Sequence, residues 1–255
     1  MSASAGAPAG SARGAPVVLV VGASGDLGLD LCAHLAEQGA TVVAGYRSRL
    51  ERLADVAATF PLGRIEPVAI DVASAATLER AVDGAVARHG RLDALVFMTA
   101  VLRDNLVSFL TEAEWDEVVD TNLKGAFLAC KAATRPMMRQ RSGRIVLISS
   151  LSGLRGVAGQ ANYCASKAGL SGLAKALAQE LSRFEIVVNV VAPGLIDSAV
   201  NDQLDERRRE ALLQGVTLKR VGRRREVSSL VRWLVLDPDA TYVTGQVIAV
   251  DGGSL

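Results

Sequence analysis

Histidine is scarce in this sequence: the 255 residues include only two, His34 and His89. A serine hydrolase with the chain order of the α/β hydrolases needs a histidine after its nucleophile, and none follows His89. The stretch Gly22-Ala23-Ser24-Gly25-Asp26 also lacks the closing glycine of a nucleophile elbow. The same shortage argues against histidine-ligated metal, so no metal site is expected. Both histidines fall in stretches of helical periodicity, where surface positions suit them.

Cysteine is nearly as sparse. Cys32, Cys130 and Cys164 are far apart and form no C-x-x-C pair, which argues against a disulfide framework or a zinc ribbon. Cys164 has no downstream histidine to activate it, so it is read as a small packing residue. No run of about 18 apolar residues occurs, the length a membrane helix needs. Charge of one sign is also missing: 28 basic and 27 acidic residues leave a net +1, so no global field calls for nucleic acid or an anionic membrane. Residues 1–15 are almost all Ala, Ser, Gly and Pro, without the basic start and apolar stretch of a secretory signal. A disordered leader on a cytoplasmic protein is expected, followed by one domain over 16–255.

What the chain does have is rhythm. Short β-branched apolar runs alternate with longer stretches of helical period, the pattern of parallel strands joined by crossover helices. Strands are predicted at Val17–Val21, Thr41–Ala44, Ile65–Ile70, Ala94–Phe97, Arg144–Ile148, Val187–Val191 and Val247–Val250. Helices are predicted at Leu27–Gln38, Leu50–Thr59, Ala75–Arg88, Glu112–Arg141 with a break, Asn162–Phe184 and Glu226–Leu236. The expected fold is α/β: a Rossmann-type doubly wound sheet of seven parallel strands flanked by helices, in a single domain. The stretch from Leu195 to Gly222, with its charge run Asp202–Glu210, breaks the rhythm and is expected to form a mobile lid.

Ligands of such sheets bind beyond the carboxyl ends of the strands. After the first strand comes Gly22-Ala23-Ser24-Gly25-Asp26-Leu27-Gly28, opening into a helix. Glycines let the backbone approach a pyrophosphate, and the N–H groups of a helix start favour the anion; an ordinary strand-to-helix turn remains the plainer alternative. The second strand ends in Tyr46-Arg47-Ser48-Arg49 without the acid that would hold the ribose hydroxyls of NAD. Arg47 is placed to pair with the extra phosphate of NADP, or else belongs to a solvated helix entry. Asp71, followed by Val72, can accept a hydrogen bond from an adenine or cap the next helix.

At the start of the long helix after the fifth strand, Tyr163-Cys164-Ala165-Ser166-Lys167 places tyrosine and lysine four residues apart, on one face. A nearby ammonium lowers a phenol's pKa and makes it a proton donor and acceptor, although this spacing alone is common by chance. Ser150 follows the fifth strand, and Pro193-Gly194, with Ile196 just beyond, follow the sixth. With these residues in place, the chain resembles the short-chain dehydrogenase/reductase family from about Pro16 to Gly253, and within it the β-ketoacyl-(acyl carrier protein) reductases. Further likeness lies in Arg103-Asp104-Asn105, Thr121-Asn122-Leu123-Lys124-Gly125, Gly159-Gln160-Ala161-Asn162-Tyr163, Val191-Ala192-Pro193-Gly194 and the ending Tyr242-Val243-Thr244-Gly245-Gln246 to Asp251-Gly252-Gly253.

The resemblance implies that Tyr163 donates the proton and that Lys167 binds the nicotinamide ribose and tunes the phenol. It implies that Ser150 orients the substrate carbonyl and that Asn122 holds a relay water. It also implies NADP(H), an acyl-carrier-bound or other small carbonyl substrate, a homotetramer packed through the helices around Asn122–Arg141 and Asn162–Phe184, and a carrier landing site at Arg139, Arg141 and Arg183. Two departures stand out. Asp26 takes the place of a family glycine, where it either faces the pyrophosphate or, as favoured, caps its own helix. Phe97-Met98-Thr99-Ala100 takes the place of the family's Asn-Asn-Ala-Gly, repacking the wall that Thr99 and Ala100 present to the cofactor. A working NADPH-dependent ketoreductase is the leading expectation. A non-catalytic partner of a second reductase subunit, or a dehydrogenase of a free alcohol or sugar, is the alternative.

Overall fold

The structure, a computed structural model, describes residues 14–198, 210 and 212–254. Most of the expected leader, and residues 199–209 and 211 of the expected lid, with nearly all of the charge run, lie outside the described residues.

Seven apolar runs become strands: β1 (Val17–Val21), β2 (Thr41–Tyr46), β3 (Ile65–Ala69), β4 (Ala94–Phe97), β5 (Gly143–Ile148), β6 (Ile186–Pro193) and β7 (Val247–Val250). They pair in parallel in the order β3-β2-β1-β4-β5-β6-β7. All five residues of β1 are buried, as expected for a strand covered by helices on both faces. On one face α3 (Ala75–His89), α5 (Gly125–Gln140) and α7 (Ala161–Leu181) close over Leu19, Leu95, Phe97 and Leu147. On the other, α1 (Asp26–Glu37), α2 (Leu50–Ala58) and α8 (Arg224–Leu236) cover Val18, Val20, Val96 and Val146. Strand order reverses between β1 and β4, which opens a crevice at their carboxyl ends.

The differences from expectation are local. β2 runs on to Tyr46, β3 stops at Ala69, and β5 and β6 each begin one residue early. The expected break in 112–141 is no break: α4 (Glu112–Val119) passes through a π turn, Asp120–Lys124, straight into α5. One residue wound into a continuous helix disturbs the ladder without a breaker residue. Thr111 and Glu114 cap α4 reciprocally. A short helix, α6 (Ser152–Arg155), follows β5 where none was expected. His34 is buried rather than exposed, because α1 packs its length against α8.

Candidate active site

The glycine segment forms the first wall of a cleft of about 380 Å³. Gly22 has φ +97°, and a Cβ there would stand 2.9 Å from Thr99 N and Oγ1. A Cβ on Gly28 would meet Gly22 O at 2.5 Å and Ala23 O at 2.7 Å. Both glycines are therefore required by close backbone approach. Gly25 caps α1 with φ −76°, and an added Cβ would find only Gly22 O, at 3.7 Å. Leu27 lies behind the segment, packed on the core.

The same cleft is lined by Val21, Ser24, Tyr46, Arg47, Ser48, Arg49, Val72, Met98, Thr99, Ala100 and Thr121. Among the described residues, that lining holds two arginines and no acid. A cradle in which Gly22 and Gly28 admit no Cβ, beside two cations, fits a dinucleotide with an extra phosphate. Asp71 is not part of the lining: its Oδ1 accepts from Ala73 N at 3.0 Å, while Ser74 occupies the N-cap of α3. The capping alternative for Asp71 is thereby replaced by a tight local turn.

The favoured reading of Asp26 also gives way. Gly25 takes the cap position, and Asp26 Oδ1 instead accepts from Arg52 Nη2 of α2 at 2.6 Å. A guanidinium within reach is a stronger partner for a carboxylate than neutral backbone N–H groups. Of the second departure, Phe97 is not a cofactor wall at all. It is the last residue of β4, fully buried, and a Cβ on Gly125 of α5 would stand 3.4 Å from its Cζ. The aromatic ring fills core, and only Met98, Thr99 and Ala100 face the cleft.

Tyr163 lies in the first turn of α7 and Lys167 one turn on, so the side chains share a face, with Lys167 Nζ 5.7 Å from the phenol centroid. Lys167 is buried, and its Nζ donates to Ile148 O at the end of β5, 2.8 Å away. Burial pushes its pKa from 10.5 down to about 7. The phenol is not lowered as the spacing suggested: burial raises the Tyr163 pKa, while the hydrogen bond from Ser150 pulls it down and Asp104 raises it further. Desolvation of the buried phenol is the largest of these effects. Ser150 Oγ accepts from Ser152 N at 3.1 Å, which fixes it beside the phenol. Cys32 and Cys130 are buried, with thiols pushed up to about 12, and are inert packing groups.

Asn122 sits in the π turn with no exposure. Its Oδ1 accepts from Val101 N at 2.8 Å, and its Nδ2 donates to Val101 O at 3.0 Å and to Ser166 Oγ at 3.1 Å. The side chain thus ties the loop after β4 to α7. Several supporting residues carried no assigned role in the sequence reading. Gln160 Nε2 donates to Asp104 Oδ2 at 2.8 Å, Ser152 Oγ donates to Gln160 Oε1 at 3.2 Å, and Ser149 Oγ donates to Lys167 O at 2.8 Å. Asn162 holds Arg103 O at 3.0 Å. All but Ser149 and Ser152 lie inside the stretches that carried the family likeness, which was the available signal.

Beside the tyrosine lies a second cavity of about 560 Å³, bordered by Asp104, Ser150, Tyr163, Pro193, Gly194 and Leu212. A Cβ on Gly194 would strike Asp251 at 2.8 Å. Ile196 lies apart from both cavities, its side chain in the core and its backbone bridged to Gly222.

A family profile described as short chain dehydrogenase matches residues 16–209. A protein named 3-oxoacyl-(acyl-carrier-protein) reductase FabG from Thermotoga maritima is 39% identical over 239 residues, covering 93% of this chain and 96% of its own. One of the same name from Staphylococcus aureus is 41% identical over 237 residues, covering 92% and 96%. Nodulation protein G from Rhizobium sp. is 40% identical over 236 residues, covering 92% and 95%. The chain belongs to the short-chain dehydrogenase family.

Proposed function

We propose that this protein is an NADP(H)-dependent ketoreductase that converts a β-ketoacyl thioester to its β-hydroxyacyl form. The observation that carries the reading is the convergence of Ser150, Tyr163 and Lys167, the first two bordering a cavity large enough for an acyl chain, in a fold that also holds a cleft fitted to a dinucleotide. The names of the relatives support the substrate class. Gly22, Ser24, Gly25, Gly28 and the main chain of Leu27 would cradle the pyrophosphate, with Arg47 at the 2′-phosphate, Val72 near the adenine, Thr99 and Ala100 toward the nicotinamide half, and Pro193 and Gly194 at the adjoining cavity; Asp71 and Ile196, which line neither cavity, are given no contact. When bound, the nicotinamide supplies a hydride for the ketone carbon.

The remaining work falls to the chain's own groups. Ser150 Oγ and Tyr163 Oη hold the carbonyl oxygen, and Tyr163 gives its proton as alkoxide charge develops. Its raised pKa keeps the phenol protonated at neutral pH, the form a reduction requires. Lys167, close to its pKa, can meet the ribose and move a proton toward the phenol. Because the Asn122 amide is occupied by Val101 and Ser166, a relay water would be held at the main chain of the π turn.

The carrier would dock near Arg139, Arg141 and Arg183; Arg141 Nη2 already lies 3.0 Å from Arg183 O. Phe127, 47% exposed, and the groove it shares with Met138, Leu177 and Phe184 support tetramer packing through α5 and α7. Leu212, from the described part of the expected lid, borders the second cavity and would help to cover the substrate. Among the described residues no helix is long and apolar enough to cross a membrane.

Tyr163→Phe is the test. It removes the proton and little volume, so NADPH binding should persist while turnover of an acetoacetyl thioester falls by about two to four orders of magnitude. Equal turnover by both proteins would overturn the proposal.

A further inference from the structure

We propose that Asp26 is a positioning residue for Arg52, and that Arg52 joins Arg47 as a cation for the 2′-phosphate; this rests on the NADP(H) reading above. Asp26 opens α1 directly after the glycine loop, where an unpaired carboxylate would repel a phosphate. Its partner reaches across from α2. Arg52 Nη2 donates to Asp26 Oδ1 at 2.6 Å, and Nη1 lies 3.5 Å from Ser24 O. The guanidinium is thus laid along the Ser24–Asp26 edge of the loop.

Exposure separates the two partners. The Asp26 side chain is 13% exposed and that of Arg52 is 37% exposed, so the carboxylate is covered and the cation keeps an open face. A guanidinium has five N–H donors, and these two contacts leave others to serve an anion. Ser24 and Gly25 line the cleft from one side, and Arg47, Ser48 and Arg49 line it from the other. Arg52 is not itself a lining residue; it reaches this wall through Ser24, whose carbonyl oxygen lies 3.5 Å from its Nη1. Gly25 carries no side chain, and an added Cβ there would find only Gly22 O, at 3.7 Å.

Calorimetric titration of the full chain with adenosine 2′,5′-bisphosphate and with 5′-AMP isolates the contribution of the 2′-phosphate without turnover. Arg52→Ala, and Arg52→Gln, which keeps much of the stem, should weaken the bisphosphate by roughly three- to tenfold and leave 5′-AMP unchanged. Asp26→Asn should weaken the bisphosphate in the wild-type background, because Arg52 loses its anchor. In the Arg52→Ala background the same change should leave bisphosphate affinity where it was, because there is no guanidinium at position 52 to hold in place. That dependence on Arg52 is a coupling that a purely structural ion pair would not produce.

The proposal is overturned if Arg52 variants retain full preference for the bisphosphate while Arg47→Ala loses it. It is overturned equally if Asp26→Asn tightens the bisphosphate in both backgrounds, or if both ligands weaken together. A wild-type protein that binds the two ligands alike would instead remove the NADP(H) reading, and this proposal with it.

Discussion

Lys167 shows how far burial governs the chemistry of single residues in this site. With its ammonium out of water and a single carbonyl partner, it releases its proton near pH 7 in the folded protein and near 10.5 in the unfolded chain. Between those values the unfolded state binds more protons, so stability must rise as pH rises through that window. Lys167→Met, which removes the titration, should flatten this part of the profile in the cofactor-free protein and should be the more stable of the two at pH 7. Denaturant midpoints at pH 7 and pH 9 check both statements; parallel profiles would mean that the lysine is hydrated. Arg47, exposed and on the rim of the cleft, leads to a different expectation. Arg47→Ala should weaken NADPH by about 1–2 kcal/mol, at the low end for a charged contact because solvent screens it, and leave NADH nearly unchanged in fluorescence titration.

The positions of Tyr163, Lys167, Ser150 and Arg47 were legible in the sequence because spacing and strand ends fix them. The partners of Asp26 and Phe97 were not. Arg52 meets Asp26 across 26 residues of sequence, and nothing local announces a contact at that separation. Phe97 was misread as cofactor wall because the end of β4, not the residue type, decides which side of the sheet the ring enters.

Among the elements, the β1–α1 junction and the π turn set the geometry of the site. Gly28→Ala would push a methyl group to within 2.5 Å of Gly22 O, where only backbone can yield. It should cost about 1–3 kcal/mol of stability together with NADPH affinity. Gly25→Ala, which meets nothing nearer than 3.7 Å and already has a negative φ, should change stability by no more than about 0.5 kcal/mol. Similar losses for both alanines would show that the junction is not closely packed. The π turn was the least legible element, since the residues of 120–124 include no glycine or proline to mark it. Its reason is tertiary: Asn122 must reach both edges of Val101 and also Ser166. Asn122→Ala, which removes both contacts to the half-buried Val101 and one of two partners of Ser166, should destabilise the protein by about 1–3 kcal/mol in chemical denaturation.

At the scale of the whole molecule, the doubly wound parallel sheet was readable because alternating strands and helices admit few right-handed, unknotted windings; its strand order came from the structure. Assembly was not readable in the same way, since an apolar helix face looks alike whether a core or a partner covers it. Phe127→Glu, placed on the exposed face of α5, should lower the mass seen by light scattering below that of the proposed tetramer; an unchanged mass would place the interface elsewhere. The account as a whole turns on whether this fold carries a hydride to a keto thioester under the control of one phenol. The direct measurement is mass spectrometry of the product formed from acetoacetyl thioester and NADPH deuterated at the transferable position of the nicotinamide. The account predicts deuterium on carbon 3 of a 3-hydroxy product with the wild-type protein, and its loss at matched times with Tyr163→Phe. No labelled 3-hydroxy product from the wild type, or equal labelling by both proteins, would contradict it.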